Sequence, residues 1–374
     1  MRMEIKKVKE IAQIQTGKYD VNHSSIDGSF TFYTCAMKPF KSDTYSFEGA
    51  SIILPGNGAN VGQVFFSEKH RFEAYQRTYV INKIQAYPRY VFYYFKKNWE
   101  ISLKNKQYGS ATNYIRYDNI ANFNIPLPHP KDQIRIAGIL FRTERLIEKR
   151  KECIRLLDEF LRSTFLEMFG DPVRNEKGWE KKRIKEIAVV RIGPFGSLLH
   201  SEDYVENEIP LINPSHIIDG EIVPTKILTI TLKKFKELKS YQLKINDVVV
   251  ARRGEIGRCA VVRTLQPLFC GTGSMFIRII SEYSPLLLQY QIYNTSLKEY
   301  LESKAKGVTM KNLNSTTLGN LPILLPPLAL QTQFVDIIEK IEAIKTKYTQ
   351  SLTDLENLYG SLSQRAFKGE LNLD

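Results

Sequence analysis

Lys6-Lys7-Val8-Lys9-Glu10-Ile11-Ala12 returns later in the chain as Lys182-Arg183-Ile184-Lys185-Glu186-Ile187-Ala188. Further matches follow in the same order. Gly17 falls on Gly193. The stretch SIILPGNGANVG (51–62) falls on NDVVVARRGEIG (246–257), and Gly109 falls on Gly307. Ile125-Pro126-Leu127-Pro128, then Gln133, falls on Ile323-Leu324-Leu325-Pro326, then Gln331. The spacing grows from about 176 residues to about 198, so the second copy carries insertions, as loops do. One short match would be chance, but an ordered series spanning a half-chain indicates duplication.

Each half has the same grammar. Short β-type runs come first, such as 51–54, 78–81, 247–250 and 274–280. Helical stretches follow at 90–103 and 286–303. Pro126, Pro128 and Pro130 close the first half, and Pro322, Pro326 and Pro327 the second, because proline cannot continue a strand and suits a helix start. A long helical pattern then runs over about 131–169 and again over about 328–367, each a rod of roughly 60 Å. Leu140, Ile147, Ile154, Leu161 and Met168 recur every seventh residue in the first. Ile338, Ile341, Tyr348, Leu352, Leu355, Tyr359, Leu362 and Ala366 form a seam in the second, interrupted by Lys345. Two such stripes at equivalent places predict that the rods pack on each other.

The 374 residues predict about two to three domains. At 43% hydrophobic and 25% charged, the chain has material for real cores and no bias toward wholesale disorder. The 53 Lys+Arg against 40 Asp+Glu leave a net charge of +13, a surface that attracts polyanions, nucleic acid above all. Cys35, Cys153, Cys259 and Cys270 are scattered and form no CxxC pair, which disfavours a zinc site or a disulfide framework. No apolar signal region opens the chain and no run approaches the ~18–20 residues that span a bilayer, so a cytoplasmic location without membrane contact is expected.

Several stretches imitate catalytic motifs. Phe269-Cys270-Gly271-Thr272-Gly273 is like the loop that cradles S-adenosylmethionine in adenine methyltransferases, but that loop should open a helix and here a β-like run follows. Asn213-Pro214-Ser215-His216 lacks the second proline and the aromatic that would grip a flipped base. Asp171, Glu180 and Lys182 could be arranged as a nuclease metal site, but they sit in a turn and linker. His23, His70, His129, His200 and His216 show no ligand spacing, and there is no nucleophile elbow or P-loop. The chain reads as a binder with no catalytic or metal residues.

Asn and Gln suit adenine, Arg suits guanine, and hydroxyls suit phosphate. On that chemistry the DNA-reading candidates are Asn57 and Asn60 against Arg252 and Arg253, and Ser110, Thr112, Asn113, Tyr114 and Arg116 against Thr309, Lys311 and Asn312. Lys18, Tyr19 and Ser197 are further candidates, with Asn22, His23 and His200 beside them. The loops are placed identically in both halves while their side chains differ, as one scaffold reading two sequences would require. Unremarkable solvated loops are the plainer alternative.

The order of elements, Phe169-Gly170-Asp171-Pro172-Val173-Arg174-Asn175, and Gln364-Arg365-Ala366-Phe367-Lys368-Gly369-Glu370-Leu371 together resemble the DNA-specificity subunits of Type I restriction–modification systems, over essentially the whole chain. Pro128-His129-Pro130 replaces the family's usual double proline, and Leu330 its usual Glu. The resemblance implies an α/β (α+β) fold with two target recognition domains separated by two long antiparallel coiled-coil helices. The divisions would be 1–130, the first recognition domain; 131–170, a spacer helix; 171–327, the second recognition domain; and 328–374, a second spacer helix. It implies that each domain reads one half of a bipartite double-stranded DNA target, with the helices as a ruler. It implies no catalysis and no cofactor in this chain: two modification subunits would carry S-adenosylmethionine, and restriction subunits would use ATP and Mg²⁺. The other readings are a self-contained adenine methyltransferase and a coiled-coil protein scaffold.

Overall fold

The computed structural model describes residues 3–68, 70–104, 113–195, 198–304 and 312–371. Two compact units are present, Met1–Glu152 with Thr349–Asp374, and Cys153–Tyr348.

The first unit opens with the strand Glu4–Lys7, antiparallel to Asn124–Leu127. A one-turn helix, Val8–Ile11, follows and buries its two apolar ends. The Lys7 amide donates to the Glu10 carboxylate at 2.8 Å, which satisfies a donor that the helix start would otherwise leave open. An antiparallel sheet then runs in the order Gln13–Thr16, Thr78–Asn82, Ser51–Pro55, Phe65–Ser67. Ser51–Pro55 is buried along its whole length, which explains its continuous apolar run. A mixed sheet orders Phe40–Ser42, Phe30–Tyr33, Arg71–Ala74 and Phe47–Glu48, its middle pair parallel. The helix Pro88–Leu103 buries Tyr90, Tyr93, Phe95 and Trp99 against the first sheet and against Leu140 and Ala366 of the long helices.

The second unit repeats the plan. Glu180–Arg183 pairs with Pro322–Leu325, and a sheet orders Ala188–Ile192, Ser274–Ile279, Val248–Ala251 and Cys259–Val261. A five-stranded mixed sheet again contains one parallel pair, Ile209–Ile212 with Leu268–Cys270. The helical stretch expected over 286–303 is two helices, Pro285–Tyr293 and Thr295–Lys304. Asn294 between them is extended, and its Oδ1 accepts from the Ser296 amide at 3.0 Å, so its side chain competes with continuation of the helix.

Strand pairing corrects the repeat alignment by one residue. Ile52 and Ile14 both face Ile81, whereas Val248 and Val190 both face Ile277. Ile52 therefore corresponds to Val248, not Asp247. The sequence alignment was anchored on Gly62 and Gly257, both at positive φ (108° and 84°). The turn before that anchor, from Gly58 and Gly254 (φ 90° and 78°), is one residue shorter in the second copy.

The long helices are Pro130–Phe169 and Leu328–Lys368, and each contributes one end to either unit. Gly170 and Gly369, at φ 74° and 77°, stop them at a left-handed residue that only glycine adopts cheaply. Within the first unit Lys151 pairs with Glu356 (2.8 Å), and burial, then the nearby Glu144 charge, raise the pKa of Tyr359. Within the second, Asp158 pairs with Lys345 (2.7 Å) and the Phe165 and Phe334 rings lie 5.8 Å apart. In both, numbering rises in one helix as it falls in the other, so the helices run antiparallel. Lys345, which interrupts the apolar seam, is matched by Asp158.

The glutamine after each proline stop has a structural task. Gln133 donates to the Pro128 carbonyl (2.8 Å) and accepts from the Tyr87 amide (2.9 Å). Gln331 donates to the Pro326 carbonyl (2.9 Å) and accepts from the Ser284 amide (2.9 Å). Both side chains are buried, and each ties the start of a long helix to the start of the helix that packs on it.

Candidate nucleic-acid interface

In the first unit the loop after Ser51–Pro55 is zipped to the segment at 113–115. The Gly58 amide donates to the Asn113 carbonyl (2.9 Å), the Ile115 amide to Gly56 (2.9 Å), and Asn57 bridges Tyr114. In the second unit the Leu313 amide donates to Arg252 (2.9 Å) and Arg253 bridges Asn312. Asn57 thus occupies the place of Arg253, and Tyr114 that of Asn312. The backbone is repeated and the side chains are not.

A third segment joins each zip. In the first unit it is the turn before Thr78–Asn82: the Gly56 amide donates to the Arg77 carbonyl at 2.9 Å. Thr16, Asn57, Gln76, Arg77, Tyr79 and Tyr114 line a cavity of about 530 Å³ there. Tyr19 lies beside it, its carbonyl accepting from the Gln76 amide (2.9 Å) as it bridges Tyr75 and stacks on His23 with centroids 3.8 Å apart. Gln76 donates to Asp20 (3.1 Å), and exposed Lys18 follows Gly17. Gly17 is required: a Cβ would lie 1.7 Å from the Ala74 carbonyl oxygen. Arg116 donates to the Tyr114 hydroxyl at 3.3 Å. Cys35 ties the loop from below, its thiol donating to Asn57 Oδ1 (3.0 Å) and its carbonyl accepting from Asn60 Nδ2 (2.8 Å). Asn60 therefore spends its amide holding the loop.

In the second unit Arg252 Nε donates to Asn312 Oδ1 (3.0 Å), and its guanidinium lies 5.9 Å from the exposed Phe195 ring. Burial, and then the neighbouring Arg253 charge, lower the Arg252 pKa. Among the described residues no carboxylate pairs with either guanidinium, so the pair is a concentrated positive site suited to an incoming anion or guanine edge. Glu255, two residues on, is pushed down to about 2, chiefly by the Lys298 bond (2.7 Å) and then by the Arg258 bond (2.6 Å). It faces a different cavity, of about 620 Å³, together with the paired charges Lys345 and Asp158.

Of the sequence candidates, the structure brings Lys18, Tyr19, Asn57, Asn60, Asn113, Tyr114 and Arg116 together, and Arg252, Arg253 and Asn312 together. Ser110, Thr112, Ser197, Thr309 and Lys311 lie outside the described residues. Sequence reasoning missed Gln76, Arg77 and Phe195. The signal was present: carrying the repeat one segment further sets Arg77 beside Gly273.

The motif imitations have structural explanations. Gly271 donates to the Ile212 carbonyl (2.9 Å) and Gly273 to Asn213 Oδ1 (3.1 Å), so the two stretches form one turn, which continues as a strand. That turn supports Arg252, whose amide donates to the Gly273 carbonyl at 3.0 Å. Asp171 caps the Val173 and Arg174 amides (2.9 and 3.0 Å) and accepts from Ser296 (2.6 Å). Among the described residues no His, Cys, Asp and Glu cluster could hold a metal, and no helix is long and apolar enough to cross a membrane.

Two copies of one β-rich scaffold, each with an antiparallel share of two long helices and each carrying differently furnished loops, define a duplicated recognition fold. The Type I restriction modification DNA specificity domain matches residues 2–156 and 176–357, and the chain belongs to that family. It is 23% identical to the Type I restriction enzyme EcoDI specificity subunit of Escherichia coli, over 97% of this chain and 87% of that one. It is 25% identical to the MjaIX specificity subunit of Methanocaldococcus jannaschii, over 79% and 72% respectively. The fold is that of the Type I restriction–modification S subunit from M. genitalium, with a TM-score of 0.66 at 15% identity over 98% and 96% of the two chains.

Proposed function

We propose that this chain is a non-catalytic specificity subunit that recognises a bipartite double-stranded DNA target, one half per unit, within a Type I restriction–modification complex. The observation that carries the reading is the repeated zip: Asn57 with Tyr114 in one unit, Arg253 with Asn312 in the other, on the same backbone pairing. Different side chains on one scaffold are what two half-sites of different sequence require. The net charge of +13 supports phosphate affinity that falls steeply with salt. Lys18, Tyr19, Asn57, Asn113, Tyr114 and Arg116 would serve one half-site and Arg252, Arg253 and Asn312 the other. The partners are two modification subunits and the restriction subunits. S-adenosylmethionine, ATP and Mg²⁺ belong to those chains, and the complex works in the cytoplasm.

The test is the adenine methylome of cells expressing this chain with its modification partner. The expected result is a split motif, two short fixed blocks with a constant gap. Arg252→Ala should relax the motif in one block only. An active, assembled complex that yields no motif refutes the recognition role and leaves the scaffold reading.

A further inference from the structure

The two units share a backbone hydrogen bond at the heart of each candidate site: Gly56 N–H to Arg77 in the first, Arg252 N–H to Gly273 in the second. The residues are exchanged across it. One unit has glycine as donor and arginine as acceptor; the other has arginine as donor and glycine as acceptor. Packing explains the exchange. A Cβ at Gly56 would lie 2.3 Å from the Arg77 carbonyl oxygen, so that side of the bridge is closed in the first unit. A Cβ at Gly273 would lie 3.0 Å from Pro214 Cδ and 3.3 Å from Asn213 Oδ1, so the opposite side is crowded in the second. Each unit thus has one open position at the bridge, and each fills it with arginine.

We infer that Arg77 is the base-reading cation of the first unit, the counterpart of Arg252, delivered from the opposite strand to the same place. This rests on the proposed recognition role and adds a specificity-determining residue to it. Arg77 is exposed and lines the 530 Å³ cavity beside Asn57, Tyr114 and Gln76. Asp20 is engaged by Gln76 Nε2 at 3.1 Å. The planar guanidinium fork matches the O6 and N7 acceptors of guanine. The first block of the target therefore contains a guanine read by Arg77.

The experiment uses the full chain assembled with its modification partner, carrying Arg77→Ala or Arg77→Lys. Methylomes are compared, and binding is measured on duplexes substituted at each position of the first block. Arg77→Ala should relax one guanine position on the order of 10–100-fold and leave the second block unchanged. Arg77→Lys keeps the charge and stem but loses the fork, so it should relax the same position while retaining the salt dependence. The second block reports folding and assembly in the same molecule. Uniform weakening with every position still discriminated would make Arg77 a phosphate contact and overturn the inference. So would an Arg77→Lys complex with an unaltered motif. A wild-type complex with no split motif would overturn the underlying recognition role, and this assignment with it.

Discussion

Replacing Gln331 by alanine separates helix propensity from the clamp the structure shows. Alanine is the better helix former, so propensity alone predicts a small gain in stability. The structure predicts a loss. Gln331 is only 2% exposed, and its amide satisfies two backbone groups, the Pro326 carbonyl and the Ser284 N–H, each at 2.9 Å. Leaving a buried donor or acceptor unpaired costs about 1–3 kcal/mol. With partial rescue by an entering water, Gln331→Ala should cost about 2–4 kcal/mol. In a unit of this size that lowers its transition by roughly 5–15 °C. Urea unfolding gives the free energy, and hydrogen exchange at the Ser284 amide gives the location. Thr332→Ala is the control: that side chain is exposed and its hydroxyl bonds only the Leu328 carbonyl (3.1 Å), so it should change little. A Gln331→Ala protein as stable as wild type, with Ser284 still protected, would refute the clamp. Gln133→Ala should behave the same way in the first unit, with Tyr87 as the reporting amide.

Gly193→Ala places a Cβ 1.9 Å from the Gly271 carbonyl oxygen and should displace the turn that supports Arg252. Methylome sequencing should show one block lost and the other kept; loss of neither would mean the strand end yields freely. Glu255 provides a pH test. Its folded pKa of about 2 lies below its ordinary 4.5, so its contribution is present above pH 4.5 and is lost as pH falls toward 2. The side chain is half exposed, so the contribution stays below about 1 kcal/mol. Glu255→Gln should lower stability at pH 7 by that amount, with the deficit shrinking below pH 4.5 and gone only below about pH 2; a deficit that stays constant with pH would place the effect in packing.

The duplication, the long helices and the proline stops were legible because backbone rules write them into residue type. Glycine must follow each long helix, and proline must precede it. Gln133 and Gln331 repeat because each closes the same buried pair of bonds. Arg77 was legible only by carrying the repeat's register through to Gly273, not from residue type. Its neighbours in sequence, Gln76 and Thr78, look like any polar turn, and its importance comes from a bond to Gly56, twenty-one residues away. The one-residue slip at Ile52 has a similar origin: glycine identity aligned Gly62 with Gly257, while strand register is set by cross-strand pairing with Ile81 and Ile277.

These particulars bear on how such a scaffold changes what it reads. Side-chain bonds of Cys35, Asn60 and Arg252 brace the candidate sites, but the zip itself is made by backbone atoms: Gly56 to Arg77 and Ile115 to Gly56 in one unit, Arg252 to Gly273 and Leu313 to Arg252 in the other. None of them depends on the side chains that face outward. An arginine can move from one strand to its neighbour, or an asparagine give way to an arginine, without loss of a single bond in the zip. The constraint falls on the glycines instead, since only one side of the bridge has room for a side chain. On the proposed reading, specificity is therefore free to diverge at Asn57, Tyr114, Arg253 and Asn312, while Gly17, Gly56, Gly193 and Gly271 must stay small. Substitution of either set should separate cleanly in the motif: a changed base preference from the first, loss of the whole block from the second.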